Sequence, residues 1–174
     1  RIVQFLVKYI RILNFNSLIK IITTTKSLKK KYLTYGVVKK KIHILHNASS
    51  LKSQFNVYKK KKKLKIGYFG SIFESRGIQM ILKLSVLDKK NKYYIFGGSI
   101  KQINIIKQKF QNENLFFCPH IPYSKVGNEI KKVDVCILPY TSKITVSGNV
   151  GDISKFTSPL KIFDYMKLGK LIIS

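Results

Sequence analysis

The chain has 174 residues, 45% of them hydrophobic, with 34 lysines and arginines against 7 acids and a formal net charge of +27. That apolar content excludes a disordered polybasic tail, and 10 Gly, 4 Pro and 2 Cys without a dominant period exclude collagenous, coiled-coil and cysteine-stapled classes. The length suits one full α/β core and part of a second.

In chain order, Ile2, Phe5, Leu6, Tyr9, Ile10 and Leu13 fall at helical spacing, so residues 2–13 are predicted as a helix. A β-rich run covers Ile19 to Thr25, a helix runs from Lys26 to Tyr35 with Gly36 as its stop, and a second strand covers Lys41 to Leu45 before the turn His46-Asn47-Ala48-Ser49-Ser50. This is the pattern of the last part of an α/β unit, expected over residues 1–50. Residues 51–63 lack periodicity and end in five consecutive lysines, Lys59 to Lys63, as expected of an exposed linker.

A second unit is expected over 64–174. Strands are predicted at Lys65–Phe69, Lys92–Phe96, Leu115–Cys118 and Val133–Leu138. Between them fall helices at Ile78–Leu87, along Ile100, Ile103, Ile106 and Phe110, and from Ser124 to Lys132. A long loop from Tyr140 to Thr157 precedes Ser158-Pro159, which reads as a hydroxyl N-cap followed by proline at the first helical position. That helix is expected to turn Leu160, Phe163 and Met166 or Lys167 inward, to stop at Gly169 and to give way to a last strand at Lys170–Ser174. The alternation implies an α/β fold with a mostly parallel, Rossmann-like sheet flanked by helices. The start at Arg1 and a last strand with no covering helix suggest a fragment truncated at both ends.

Thirty-one of the cations are lysine and three are arginine. This is a compositional skew rather than the arginine-led pattern of a nucleic-acid reader, so no nucleic acid is expected as a partner. The lysine excess does favour anionic partners, including a lipid surface. No apolar run approaches the roughly 20 residues that a bilayer span requires. Cys118 and Cys136 read as reduced thiols, which points to the cytoplasm.

Ligands of such a sheet sit at the carboxyl ends of its strands. There, Gly70 and Ser71 with Arg76 and Gly77 would bring backbone N–H groups and a guanidinium to an anion, as would Gly97 after the next strand. Ser158, Pro159, Lys161 and Asp164 read either as a capped helix with a weak surface ion pair or as a positive helix start that holds a phosphate. His43, His46 and His120 have no metal-ligand spacing, and no metal site is expected. His46 reads as a turn residue.

The pattern from Gly70 through Arg76-Gly77, then Phe96-Gly97-Gly98, then Asp134 before Cys136 to Pro139, and finally Ser158 to Met166 with Gly169-Lys170, resembles the group 1 glycosyltransferases. These are two-Rossmann-domain, GT-B type enzymes similar to the family 4 retaining transferases. The resemblance implies the tail of an N-terminal, acceptor-side domain and most of a C-terminal, nucleotide-sugar-binding domain. It further implies a nucleoside diphosphate sugar as donor, no cofactor, a glycan or lipid-linked acceptor, and a bacterial envelope-polysaccharide role with peripheral contact to the cell membrane. By residue, Arg76 stands where the family contacts the donor diphosphate, Ser71 where many members have a second arginine, and Asp164 where the second signature acid faces the ribose. Phe156 occupies the place of the first acid. No catalytic base is assigned, and the fragment itself is expected to be inactive. Two other readings stay open: a non-catalytic lysine-rich module for anionic polymer or membrane, and a sugar-nucleotide epimerase of related architecture.

Overall fold

The computed structural model describes residues 20–52, 60–73, 76–140, 144 and 152–174. The helix expected over 2–13, most of the linker and the middle of the loop after Tyr140 lie outside them. The chain forms two compact units, one of Arg1–Asn47 with Ile153–Ser158 and one of Ala48–Asp152 with Pro159–Ser174.

In the first unit, β1 (Ile21–Thr23) and β2 (Ile42–Ile44) pair in parallel through α1 (Lys26–Thr34). The Thr25 side chain caps α1 by accepting from Leu28 N at 3.1 Å, which satisfies one of the orphan donors of the first turn. Among its described residues, Ile42, Val37 and Thr23 are buried.

The second unit holds a five-stranded parallel sheet in the order β5-β4-β3-β6-β7. Its strands are β3 (Lys65–Phe69), β4 (Lys92–Phe96), β5 (Leu115–Cys118), β6 (Val135–Ile137) and β7 (Leu171–Ile173). Its helices are α2 (Ile78–Leu87), α3 (Ile100–Lys109), α4 (Tyr123–Lys131) and α5 (Leu160–Lys167). The side-chain period of two sorts the strands into two cores. Ile66, Tyr68, Tyr93, Ile95, Val135 and Ile137 pack under α2 and α3 through Ile78, Ile81, Leu82 and Ile103. Phe69, Phe96, Cys136 and Leu138 pack under α4 and α5 through Ile130, Tyr165 and Leu168. Burial on both faces is what a parallel sheet with helical crossovers requires, and the α/β expectation holds. Both cysteines are free thiols, Cys136 buried and Cys118 half-buried. Among the described residues, no helix is long and apolar enough to cross a membrane.

Two details differ from the sequence reading. In α2, the three-residue steps Ile78, Ile81, Leu84 and Leu87 suggest one inward line, but Leu87 is 82% exposed and Ser85, four residues after Ile81, is buried instead. In α5, Leu160 and Met166 face solvent while Asp164, Tyr165 and Leu168 are buried. The helix is rotated from the purely apolar inner line because its inner face is a site face as well as a core face.

Candidate functional site

The strand order reverses between β3 and β6. From β3 the chain leaves through α2 on one face, and from β6 it continues to α5 on the other, which opens a crevice at their carboxyl ends. Gly77, the N-cap of α2, is left-handed with φ 73°, and a Cβ there would overlap the Pro139 carbonyl at the end of β6. Only glycine allows this approach without strain. It brings Arg76 to Tyr140, with the guanidinium 6.0 Å from the ring centroid.

Lys161 reaches the same ring from α5, its Nζ lying 5.9 Å from the Tyr140 centroid and 4.5 Å from that of Tyr68. The Tyr68 hydroxyl donates to the Ser71 carbonyl at 2.7 Å and accepts from Lys161 Nζ at 3.4 Å. Gly70, with φ 154°, lies against that amine, and a Cβ there would overlap Lys161 Nζ and Cε. The lysine channel therefore exists because position 70 has no side chain.

Burial, reinforced by the neighbouring Arg76 charge, lowers the Lys161 pKa from 10.5 to about 8. Burial and the nearby Tyr140 push the Tyr68 hydroxyl upward, with Arg76 opposing. Burial likewise raises Tyr140 against the pull of Arg76. Among the described residues, neither Arg76 nor Lys161 has a carboxylate within salt-bridge distance. The surface ion pair considered for Lys161 and Asp164 is not formed, because the two side chains engage different partners.

The helix starts add to this field. Ser99 and Gln102 close the start of α3 in a reciprocal capping box. By contrast, α2 and α5 begin at Gly77 and Pro159 without a side-chain cap. Two uncapped helix starts, each next to a cation, thus lie near Tyr140, an arrangement suited to an anion.

Gly70, Ser71, Gly97, Lys161 and Asp164 line one cavity of about 590 Å³. Phe69 and Phe96, stacked at 4.6 Å, form an apolar wall with Ile121, Val126 and Ile130. Asp164 is buried, and its Oδ1 accepts from Ser49 Oγ at 2.6 Å and from the Tyr123 hydroxyl at 3.0 Å. Arg76 and Gly77 stand outside the lining, joined to it through Tyr140 and Lys161. Pro159, expected at the first helical position, is instead the N-cap of α5. Ser158 accordingly does not cap the helix; it lies in the first unit, where its carbonyl accepts from Asn47 Nδ2 at 3.5 Å. Phe156 is in a turn of that unit, its N–H bonded to the Ile153 carbonyl at 2.9 Å. His46 Nδ1 lies 3.1 Å from the Thr24 carbonyl, so the ring joins the segments that follow β1 and β2. Among the described residues, no group of three His, Cys, Asp or Glu could hold a metal.

Sequence reasoning missed Tyr68, Tyr140, Ser49 and Tyr123. The position of Tyr140 directly after the proline that ends β6 was a usable signal, since that is a ligand-facing end of the sheet.

No family model matches the sequence, and no curated protein matches it either. Solved structures do. Anabaena HepE, crystallised in complex with UDP and glucose, superposes with a TM-score of 0.63 at 12% identity over 96% of this chain and 47% of its own. The lipopolysaccharide outer core galactosyltransferase WaaB gives 0.57 at 15% identity over 88% and 42%. Sucrose-phosphate synthase of Thermosynechococcus elongatus gives 0.55 at 16% over 79% and 39%. The chain spans less than half the length of each. These likenesses establish the fold: a Rossmann-like parallel sheet flanked by helices, with the architecture of a GT-B type domain.

Proposed function

We propose that the chain is part of a glycosyltransferase that moves a sugar from a nucleoside diphosphate sugar to a glycan or lipid-linked acceptor, with retention of configuration. One observation carries the reading: Arg76 and Lys161, from opposite faces of the sheet, meet one tyrosine ring beside two uncapped helix starts, without a carboxylate counterpart among the described residues. Such a field neutralises a diphosphate. As the bond between the anomeric carbon and the phosphate oxygen breaks, its electron pair stays on the departing diphosphate, so the same cations stabilise the transition state more than the ground state. Gly70, Ser71 and Gly97 line the cavity where the ligand meets the backbone, Gly77 lets the start of α2 pack against Pro139, and Asp164 meets the ribose. The crystallised complexes of HepE with UDP and with UDP-glucose support this choice of donor.

In this reading residues 1–50 close an acceptor-side domain, 51–63 link it to the donor domain, and 64–174 are most of the latter. The acceptor and the assisting base belong to chain beyond these residues, so the fragment binds donor without turning it over. The lysine-rich surface supports peripheral attachment to the cytoplasmic face of an anionic membrane.

Titration with UDP- and GDP-sugars tests the proposal. The native chain is expected to bind one class at least tenfold more tightly than a variant carrying Arg76→Ala and Lys161→Ala. Equal affinity would overturn the assignment, and binding that collapses across all anions at moderate salt would favour a diffuse lysine field.

A further inference from the structure

The Asp164 carboxylate is held by more than its own helix. Ser49 Oγ donates to Oδ1 at 2.6 Å while itself accepting the Leu51 N–H at 3.2 Å, so its single proton is committed to the acid. Tyr123, the first residue of α4, donates to the same oxygen at 3.0 Å and accepts a long bond from Ser50 Oγ at 3.5 Å. Two polarised donors thus fix one oxygen of a buried carboxylate that lines the cavity. Among the described residues no donor reaches the other oxygen, Oδ2. A carboxyl group next to an apolar wall, with one oxygen satisfied, is a directed acceptor for hydroxyl protons at the other.

We propose that Ser49 and Tyr123 are positioning residues that hold the Asp164 carboxylate so that its second oxygen accepts a ribose hydroxyl of the bound nucleotide. The inference rests on the donor reading above and extends it to two residues that touch the acid rather than the ligand. With either donor removed, the carboxylate can turn and the geometry toward the ribose is lost. The diphosphate contacts at Arg76 and Lys161 are independent of this network.

The test uses the 174-residue chain with UDP, GDP, their 2′-deoxy counterparts and inorganic pyrophosphate, read by calorimetry at pH 7.5. The native chain is expected to prefer the ribonucleotide about tenfold, as for one hydrogen bond to a charged group. In Ser49→Ala and in Tyr123→Phe the preference should shrink to less than about threefold, with pyrophosphate affinity kept, and Ser49→Thr should restore it. A preference that survives either substitution, or that survives Asp164→Asn, overturns the inference while leaving the donor reading intact. Equal loss of ribo-, deoxy- and pyrophosphate binding in the variants also overturns it, since the network would then be supporting the fold alone. A native chain that binds neither nucleotide nor pyrophosphate refutes the donor reading and this inference with it.

Discussion

Replacing Lys161 with methionine should make the protein more stable and less able to hold an anion. The amine's pKa falls from 10.5 to about 8 on folding, so at pH 7 the folded chain carries a proton that it binds more weakly than the unfolded chain does. At roughly 1.4 kcal/mol per decade, that difference costs about 3 kcal/mol. The Nζ contact with the Tyr68 ring at 4.5 Å returns about 1 kcal/mol of this. Methionine fills the channel beside Gly70 without charge, so Lys161→Met is expected to gain about 1–3 kcal/mol at pH 7. Because the folded pKa lies below the unfolded one, the penalty is complete below about pH 8 and fades as pH rises to 10.5. The gap between variant and native chain should therefore narrow by about 2 kcal/mol between pH 7 and pH 9.5. Urea denaturation at the two pH values measures it, with pyrophosphate affinity expected to fall at least about tenfold in the variant. A variant less stable than the native chain at pH 7, or a gap unchanged at pH 9.5, would refute the account of Lys161 as an unpaired buried cation.

The same titration governs binding. If an anion restores the ordinary pKa of Lys161, the affinity for UDP-glucose should drop about tenfold from pH 7 to pH 9, and Lys161→Met should flatten that dependence in calorimetric titrations. Gly77→Ala forces a left-handed residue with a Cβ against the Pro139 carbonyl, and is expected to cost about 2 kcal/mol or more in a denaturant melt. Tyr165→Phe removes the hydroxyl that accepts the buried Phe69 N–H at 3.3 Å, with an expected loss of about 1–2 kcal/mol; a melting curve identical to that of the native chain would show that the bond contributes nothing.

The sheet was legible because each inner strand is apolar on both faces. Ile66 and Tyr68 alternate with Gly67 and Phe69, and such runs, stopped by Gly70 after β3 and Gly97 after β4 and alternating with helical spacing, leave few alternatives to a covered parallel sheet. The amphipathic rule failed at α5. Leu160, Phe163 and Met166 promised an apolar line, but Lys161 and Asp164 turn inward to the cavity with Tyr165 and Leu168 beneath them. A helix that presents charge to a ligand breaks the pattern by which buried faces are recognised. Tyr140 and Ser49 were hidden for another reason. Their roles depend on β3 lying beside β6 and on the segment after Asn47 reaching α5, and neither neighbour is encoded by local spacing.

The crowding of the Lys161 ammonium against Gly70 has a hereditary corollary. Any mutation that adds even a methyl group at 70 evicts the cation from its groove, whereas a shortened residue at 161 relieves the collision but leaves the backbone there in a conformation that only glycine takes up readily. The two codons are consequently linked unequally: a change at 161 frees the space beside position 70, whereas position 70 stays tied to glycine by its own backbone whichever residue stands at 161.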